Sequence, residues 1–282
     1  MSGARTGPVR PVDEIKGGFD FLPLLFRQCP DGPFLPRRVR GLGFGRRDQG
    51  IHARELRLYG LGLGHLPRLA DFGGMTAPVI KHAVPYYSQW ESAGLVPEFV
   101  SGADAARDPL WAGSGADSPE EYAFWAPRMC GVACLRMVLG SLGLPVPPSV
   151  ELVKELSGAG AYVRDGDAVK GLIYQPFAEY VAARWGLDAR SAPVLDHGAV
   201  RDALAGGGLA MLSVHWSIRT LAPVVEARGG HLVLAVGATE DAVLVHNPSG
   251  FPGASQQYAS VPWADLDRFY AGRGILLGGR TG

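Results

Sequence analysis

Two short Val/Leu-rich runs, 231–238 and 242–247, separated by polar residues around Thr239-Glu240-Asp241, narrow the fold of this chain more than any other feature. Each run is too short for an ordinary helix, and together they predict an antiparallel hairpin. A three-residue loop over 238–240 sets Gly237 against Asp241. The same register then places His231 directly opposite Asn247, on the face of Val233, Ala235, Val243 and Val245. His246 points to the other face and is left out of any site. A loop one residue longer or shorter keeps His231 and Asn247 near neighbours without squarely pairing them.

Upstream the pattern is helical. Residues 130–142 are almost wholly apolar, broken by Arg136 and stopped by Gly143 and Pro145, which predicts a buried helix. Further helices are expected over 148–156, over 173–185 with Gly186 as terminator, and over 197–205 before Gly206-Gly207-Gly208. Strands follow over 209–216, 231–238 and 242–247, then a late helix over 260–270 and a last strand over 274–277. Helices first and an antiparallel sheet after them is an α+β order. Residues 83–90 read as a short opening strand. The Gly/Asp/Pro-rich stretch 92–119 reads as a long surface loop, a type that often serves as a lid. Residues 1–80, rich in Gly, Pro and Arg with one alternating run over 55–63, read as an N-terminal extension packing on the main domain, 81–282.

Composition removes several function classes. The 282 residues carry 27 basic and 27 acidic side chains, for a formal net charge of zero. That balance argues against a nucleic-acid partner, and the arginines between Arg37 and Arg57 read as a solvated face. No segment reaches the ~18 apolar residues of a membrane span, and the first residues lack the apolar run of a secretory signal. A cytoplasmic location is the resulting expectation. Three cysteines, an odd number, imply no disulfide framework. The glycine pieces 41–45 and 60–64 lack the full spacing of a phosphate loop. No cofactor or metal is implied, and the oligomeric state is open.

Chemistry concentrates at Cys130, which opens the apolar helix. A thiol there sits beside unsatisfied N–H groups and the positive end of the helix dipole, which favours the thiolate. Gly131 next to it would let a substrate approach the backbone. Taken alone, Cys130 reads equally well as a small buried residue. Cys134, four residues on, reads as core, and Cys29 has no chemical context. His231 is the candidate base and Asn247 its orienter, the amide oxygen fixing the imidazole tautomer. Gln89, in Tyr86-Tyr87-Ser88-Gln89-Trp90, is either a surface residue of an aromatic strand or an oxyanion donor beside the backbone N–H of Cys130. His215-Trp216 and the tryptophans Trp90, Trp111 and Trp125 read as core packing before cleft walls. The carboxylate pairs Glu120-Glu121, Asp165/Asp167 and Asp265/Asp267 read as caps or solvated surface.

Four pieces in this order, 84–89 (Val-Pro-Tyr-Tyr-Ser-Gln), 129–139 (opening Met-Cys-Gly-Val-Ala-Cys-Leu), 230–236 (Gly-His-Leu-Val-Leu-Ala-Val) and 243–248 (Val-Leu-Val-His-Asn-Pro), resemble the C39-like cysteine peptidases. The best-known members of that family trim double-glycine leader peptides from bacteriocin precursors. The resemblance covers about residue 81 to the C-terminus. It implies an α+β papain-like fold, with Gln89 in the oxyanion hole, Cys130 as nucleophile, His231 as base and Asn247 as orienter. The family usually carries Asp before that Pro; here it is Asn247, as in papain-like relatives. The 92–119 insert separates Gln89 from Cys130 more than is usual. The implied reaction is cleavage of a peptide or amide bond through a Cys130 thioester. Its rivals are acyl transfer to an amine by the same residues, and a catalytically silent peptide-binding module.

Overall fold

The computed structural model describes residues 79–281. The expectations for the N-terminal extension, with its arginines, Cys29, alternating run and glycine pieces, lie outside the described residues. Strand β1 (Ile80–Lys81) is two residues long and pairs with the end of a later strand. The expected strand over 83–90 forms no ladder. Pro85 has no N–H to give, and the backbone groups around it are met singly. His82 N–H donates to the Val236 carbonyl at 2.9 Å, and the Tyr258 hydroxyl donates to the His82 carbonyl at 3.0 Å. His246 Nε2 donates to the Val84 carbonyl at 3.0 Å, while its Nδ1 accepts from the Tyr258 N–H. His246 is thus buried and structural, as its face implied.

Residues 92–119 are ordered structure and not the expected loop. They contain helix α1 (Val96–Val100) and three short 3-10 turns, and lead into α2 (Pro119–Trp125). Their organiser is Asp108, fully buried, which accepts from the N–H and hydroxyl of Ser92, the Leu110 N–H and the Tyr122 hydroxyl. A buried carboxylate is tolerable when its oxygens are met this fully. Ser118 caps α2, accepting from Glu121 N–H at 3.2 Å, with Pro119 in the first turn.

Helix α3 (Cys130–Ser141) is buried from Gly131 to Leu139. Its one charge, Arg136, pairs with Glu91 at 3.1 Å and lies over the Tyr87 ring, while Ser149 donates to the same Glu91 oxygen. After α3 come α4 (Ser149–Gly158), a small hairpin of β2 (Val163–Asp165) and β3 (Ala168–Lys170), α5 (Tyr174–Trp185), β4 (Leu187–Ala192) and α6 (His197–Ala205). Gly186 ends α5 in the left-handed region, φ 67°, as its place in the sequence requires. The chain then runs β5 (Leu209–Val214), β6 (His231–Ala238), β7 (Ala242–His246), β8 (Ala259–Pro262), α7 (Trp263–Phe269) and β9 (Tyr270–Arg280). The late helix over 260–270 is therefore half strand and half helix. β5 stops at Val214, and Trp216 beyond it is 56% exposed, so it is not the core residue expected. Trp90 and Trp125 are buried, as expected.

The main sheet is antiparallel, in the order β4-β9-β5-β6-β7-β8, with β1 on the end of β6. Helices α3 and α6 both pack against β5 and β6, which are buried over their whole length. The α+β order read from the sequence is the architecture found. No described helix is long and apolar enough to cross a membrane.

The hairpin register differs from the expected one. Ala238 pairs with Val243 and Gly237 with Leu244, but after a bulge at Val236 the pairs become Ala235 with Val245 and Leu234 with His246. Asn247 therefore lies beyond the ladder, past the point opposite Leu234, and His231 pairs with Val214 on the other side. Beside this bulge a Cβ at Gly237 would stand 2.4 Å from the Ile80 carbonyl, so β1 fits there only against a glycine.

Candidate active site

His231 is the first residue of β6 and is reached through Gly229 and Gly230, at φ 84° and 90°. Two consecutive left-handed residues turn the chain sharply, a conformation that favours glycine. Asn247 follows β7 immediately. Its N–H donates to the Gln256 carbonyl at 2.8 Å, and its carbonyl accepts from the Tyr86 hydroxyl at 2.9 Å. The 86–89 segment also holds Pro248, whose carbonyl accepts from Ser88 Oγ and Gln89 N–H, both at 3.0 Å.

Despite the shifted register, His231 Nε2 lies 2.8 Å from Asn247 Oδ1. The same Oδ1 accepts from Ser249 N–H at 3.1 Å, which identifies it as the oxygen of the amide. Nε2 therefore carries the proton, and Nδ1 is left as the nitrogen that can take one. Ser249 Oγ stands 3.1 Å from Nε2 and accepts from Arg219 Nη2 at 3.0 Å.

Cys130 opens α3 with no side chain capping the helix. It is half-buried and shares with His231 a cavity of about 440 Å³. Burial raises the thiol above its ordinary value, although the N–H groups of Leu232, Gly131 and Cys130 itself pull it back. Desolvation thus opposes the thiolate that the helix N-terminus favours. Burial likewise pushes the His231 imidazole down to about 4; the Asn247 hydrogen bond opposes this, while Arg219 and His215 add to it. Burial thus favours the uncharged form of each group.

Packing gives Gly131 a reason of its own. A Cβ there would meet Leu172 at 3.0 Å, and Leu232 and the Tyr162 hydroxyl at 3.2 Å, so the glycine lets these side chains close on the start of α3. Cys134 is core, fully buried, with Sγ 3.8 Å from the Leu232 carbonyl. Gln89 is 5% exposed and donates from Nε2 to the Ala126 carbonyl at 3.2 Å, which sets it against the turn leading into Cys130; it is not among the residues lining the cavity. The structure thus brings together His231 and Asn247, places Cys130 on the same cavity, and sets Gln89 behind it. Ser249 and Arg219 escaped the sequence reading. The one signal for Ser249 is its place two residues after Asn247, where a hydroxyl can fold back on the Asn side chain.

No family model matches the chain, and no curated protein matches it. Among solved structures it is similar to the peptidase domain of Streptococcus ComA, a bi-functional ABC transporter involved in a quorum-sensing pathway. That match has 18% identity and a TM-score of 0.37, covering 55% of this chain and 93% of that one. It is also similar to a chain described as a C39-like peptidase from Bacillus anthracis, with 16% identity and a TM-score of 0.42, covering 55% of this chain and 90% of that one. Both structures are described as peptidases, and one of them as C39-like, the family that the four sequence pieces resemble.

Proposed function

We propose that residues 81–282 form a cysteine peptidase or amidase that works through a thioester on Cys130. The observation that carries this is the His231–Asn247 hydrogen bond of 2.8 Å, which leaves Nδ1 as the acceptor in a ring that shares its cavity with Cys130. In the first step Cys130 Sγ bonds to the carbonyl carbon while His231 Nδ1 takes the thiol proton. The backbone N–H of Cys130 and the second amide hydrogen of Gln89 are the donors assigned to the oxyanion. The intermediate collapses with cleavage of the C–N bond, and the imidazolium gives its proton to the leaving amine. Water, deprotonated by His231, then attacks the thioester, releasing the acid and restoring the thiol.

Incubation with a peptide pool followed by intact mass spectrometry tests this reading. The expected result is an acyl adduct on Cys130 in the wild type and none in Cys130→Ala. Product analysis separates the rivals, since a free acid marks hydrolysis and a new amide marks transfer. Activity that survives in Cys130→Ala overturns the mechanism. A Cys130 inert to iodoacetamide in the folded protein favours the silent binding module.

A further inference from the structure

The cavity beside Cys130 is lined by two cations, Lys170 from β3 and Arg273 from β9, and by no carboxylate. Neither cation takes part in any ion pair formed among the described residues. Arg273, an exposed residue, stands close to Ser213. Its Nη2 lies 3.3 Å, and Ser213 Oγ 3.1 Å, from the point where a Cβ on Gly229 would stand. Both groups, with Ala271 Cβ at 3.3 Å, crowd that point, so a side chain at Gly229 would press on them. Ser213 is 2% exposed, lines the cavity, and its hydroxyl makes no hydrogen bond to the described residues. A guanidinium and a cavity-lining hydroxyl on the same side of Gly229, with an ammonium on the same cavity, form a donor set matched to an oxyanion.

We infer that this cavity selects substrates bearing a carboxylate, held by Arg273 and Ser213 with Lys170 alongside, while the reacting carbonyl sits at Cys130. The inference rests on the proposed role of Cys130 as the attacking group. The carboxylate belongs either to an acidic side chain or to a free C-terminus, and both present the same two oxygens to the donors.

Three probes test it: bromoacetyl-Gly-Glu-amide, with a side-chain carboxylate; bromoacetyl-Gly-Gln, with a free α-carboxylate; and the neutral bromoacetyl-Gly-Gln-amide. Cys130 Sγ displaces bromide to form a thioether, its proton passing through His231 to solvent. The measurement is kinact/KI at Cys130, followed by intact mass and peptide mapping. One or both anionic probes should exceed the neutral one by about three- to tenfold, the scale of a charge-assisted contact at a partly exposed site. Which anionic probe gains identifies the source of the carboxylate. The preference should fall toward unity in Arg273→Gln and Lys170→Gln, fall with added salt in the wild type, and persist in Arg190→Gln, a cation outside this cavity. Equal rates for all three probes, with Cys130 still modified, overturn the carboxylate inference and leave the proposed mechanism standing. A Cys130 that none of the probes modifies overturns both.

Discussion

Acid should weaken this protein through His231, by an amount that follows from its burial. An imidazole titrates near 6.5 in the unfolded chain, while in the fold burial holds His231 to about 4. Between those values the unfolded state binds a proton that the native state refuses. Stability is therefore intact above 6.5, falls as pH drops through this window, and stops falling below about 4. At ~1.4 kcal/mol per tenfold change in proton affinity the full effect is ~3 kcal/mol, of which ~2.5 kcal/mol is lost by pH 4.5. Urea denaturation of the wild type and of His231→Gln at pH 7.5 and 4.5 isolates the effect, because every other titrating group is common to both proteins. The variant is expected to lose about 2.5 kcal/mol less than the wild type on acidification. Equal losses in the two proteins, or a larger loss in the variant, would refute the reasoning that the native imidazole is held neutral by burial.

The same protonation logic extends to catalysis: His231 must be neutral to act as base, so the acidic limb of kcat/KM should fall near pH 4 and not near 6.5. A limb at 6.5 in a pH–rate series would point to a solvated imidazole. Asn247→Ala removes the hydrogen bond that fixes the imidazole tautomer, and kcat/KM should fall about five- to 100-fold, the kinetic equivalent of ~1–3 kcal/mol; an unchanged value would remove Asn247 from the site. Glu91→Ala leaves the buried Arg136 without its partner and should cost about 3–5 kcal/mol in chemical denaturation, with Glu91→Gln milder because the amide still meets Ser149. Asp108→Ala strands the hydroxyls of Ser92 and Tyr122 and should expose the 92–119 segment to limited proteolysis before the sheet unfolds.

Local pattern in the sequence placed most of the candidate site residues. Cys130 at the opening of a buried helix and His231 at the start of an apolar strand lie where local pattern placed them, and α6 and β6 have the expected bounds, whereas Asn247 lies one residue beyond the strand it was expected to end. Apolar runs with Gly or Pro at their ends are decided within a few residues, so they can be read without the fold. The tertiary structure decided what depends on distant contacts. The polar strand β4, Leu-Asp-Ala-Arg-Ser-Ala, forms because β9 pairs with it. The hairpin register turns on a bulge at Val236, beside the close approach of Ile80 to Gly237, far apart in the chain. The 92–119 segment is ordered by one buried carboxylate that gathers donors from both sides of it. The charge state of the proposed pair was set in the same way. A helix N-terminus favours a thiolate at Cys130, but burial of the sulfur raises the thiol, an effect that exists only once helix and sheet are packed together.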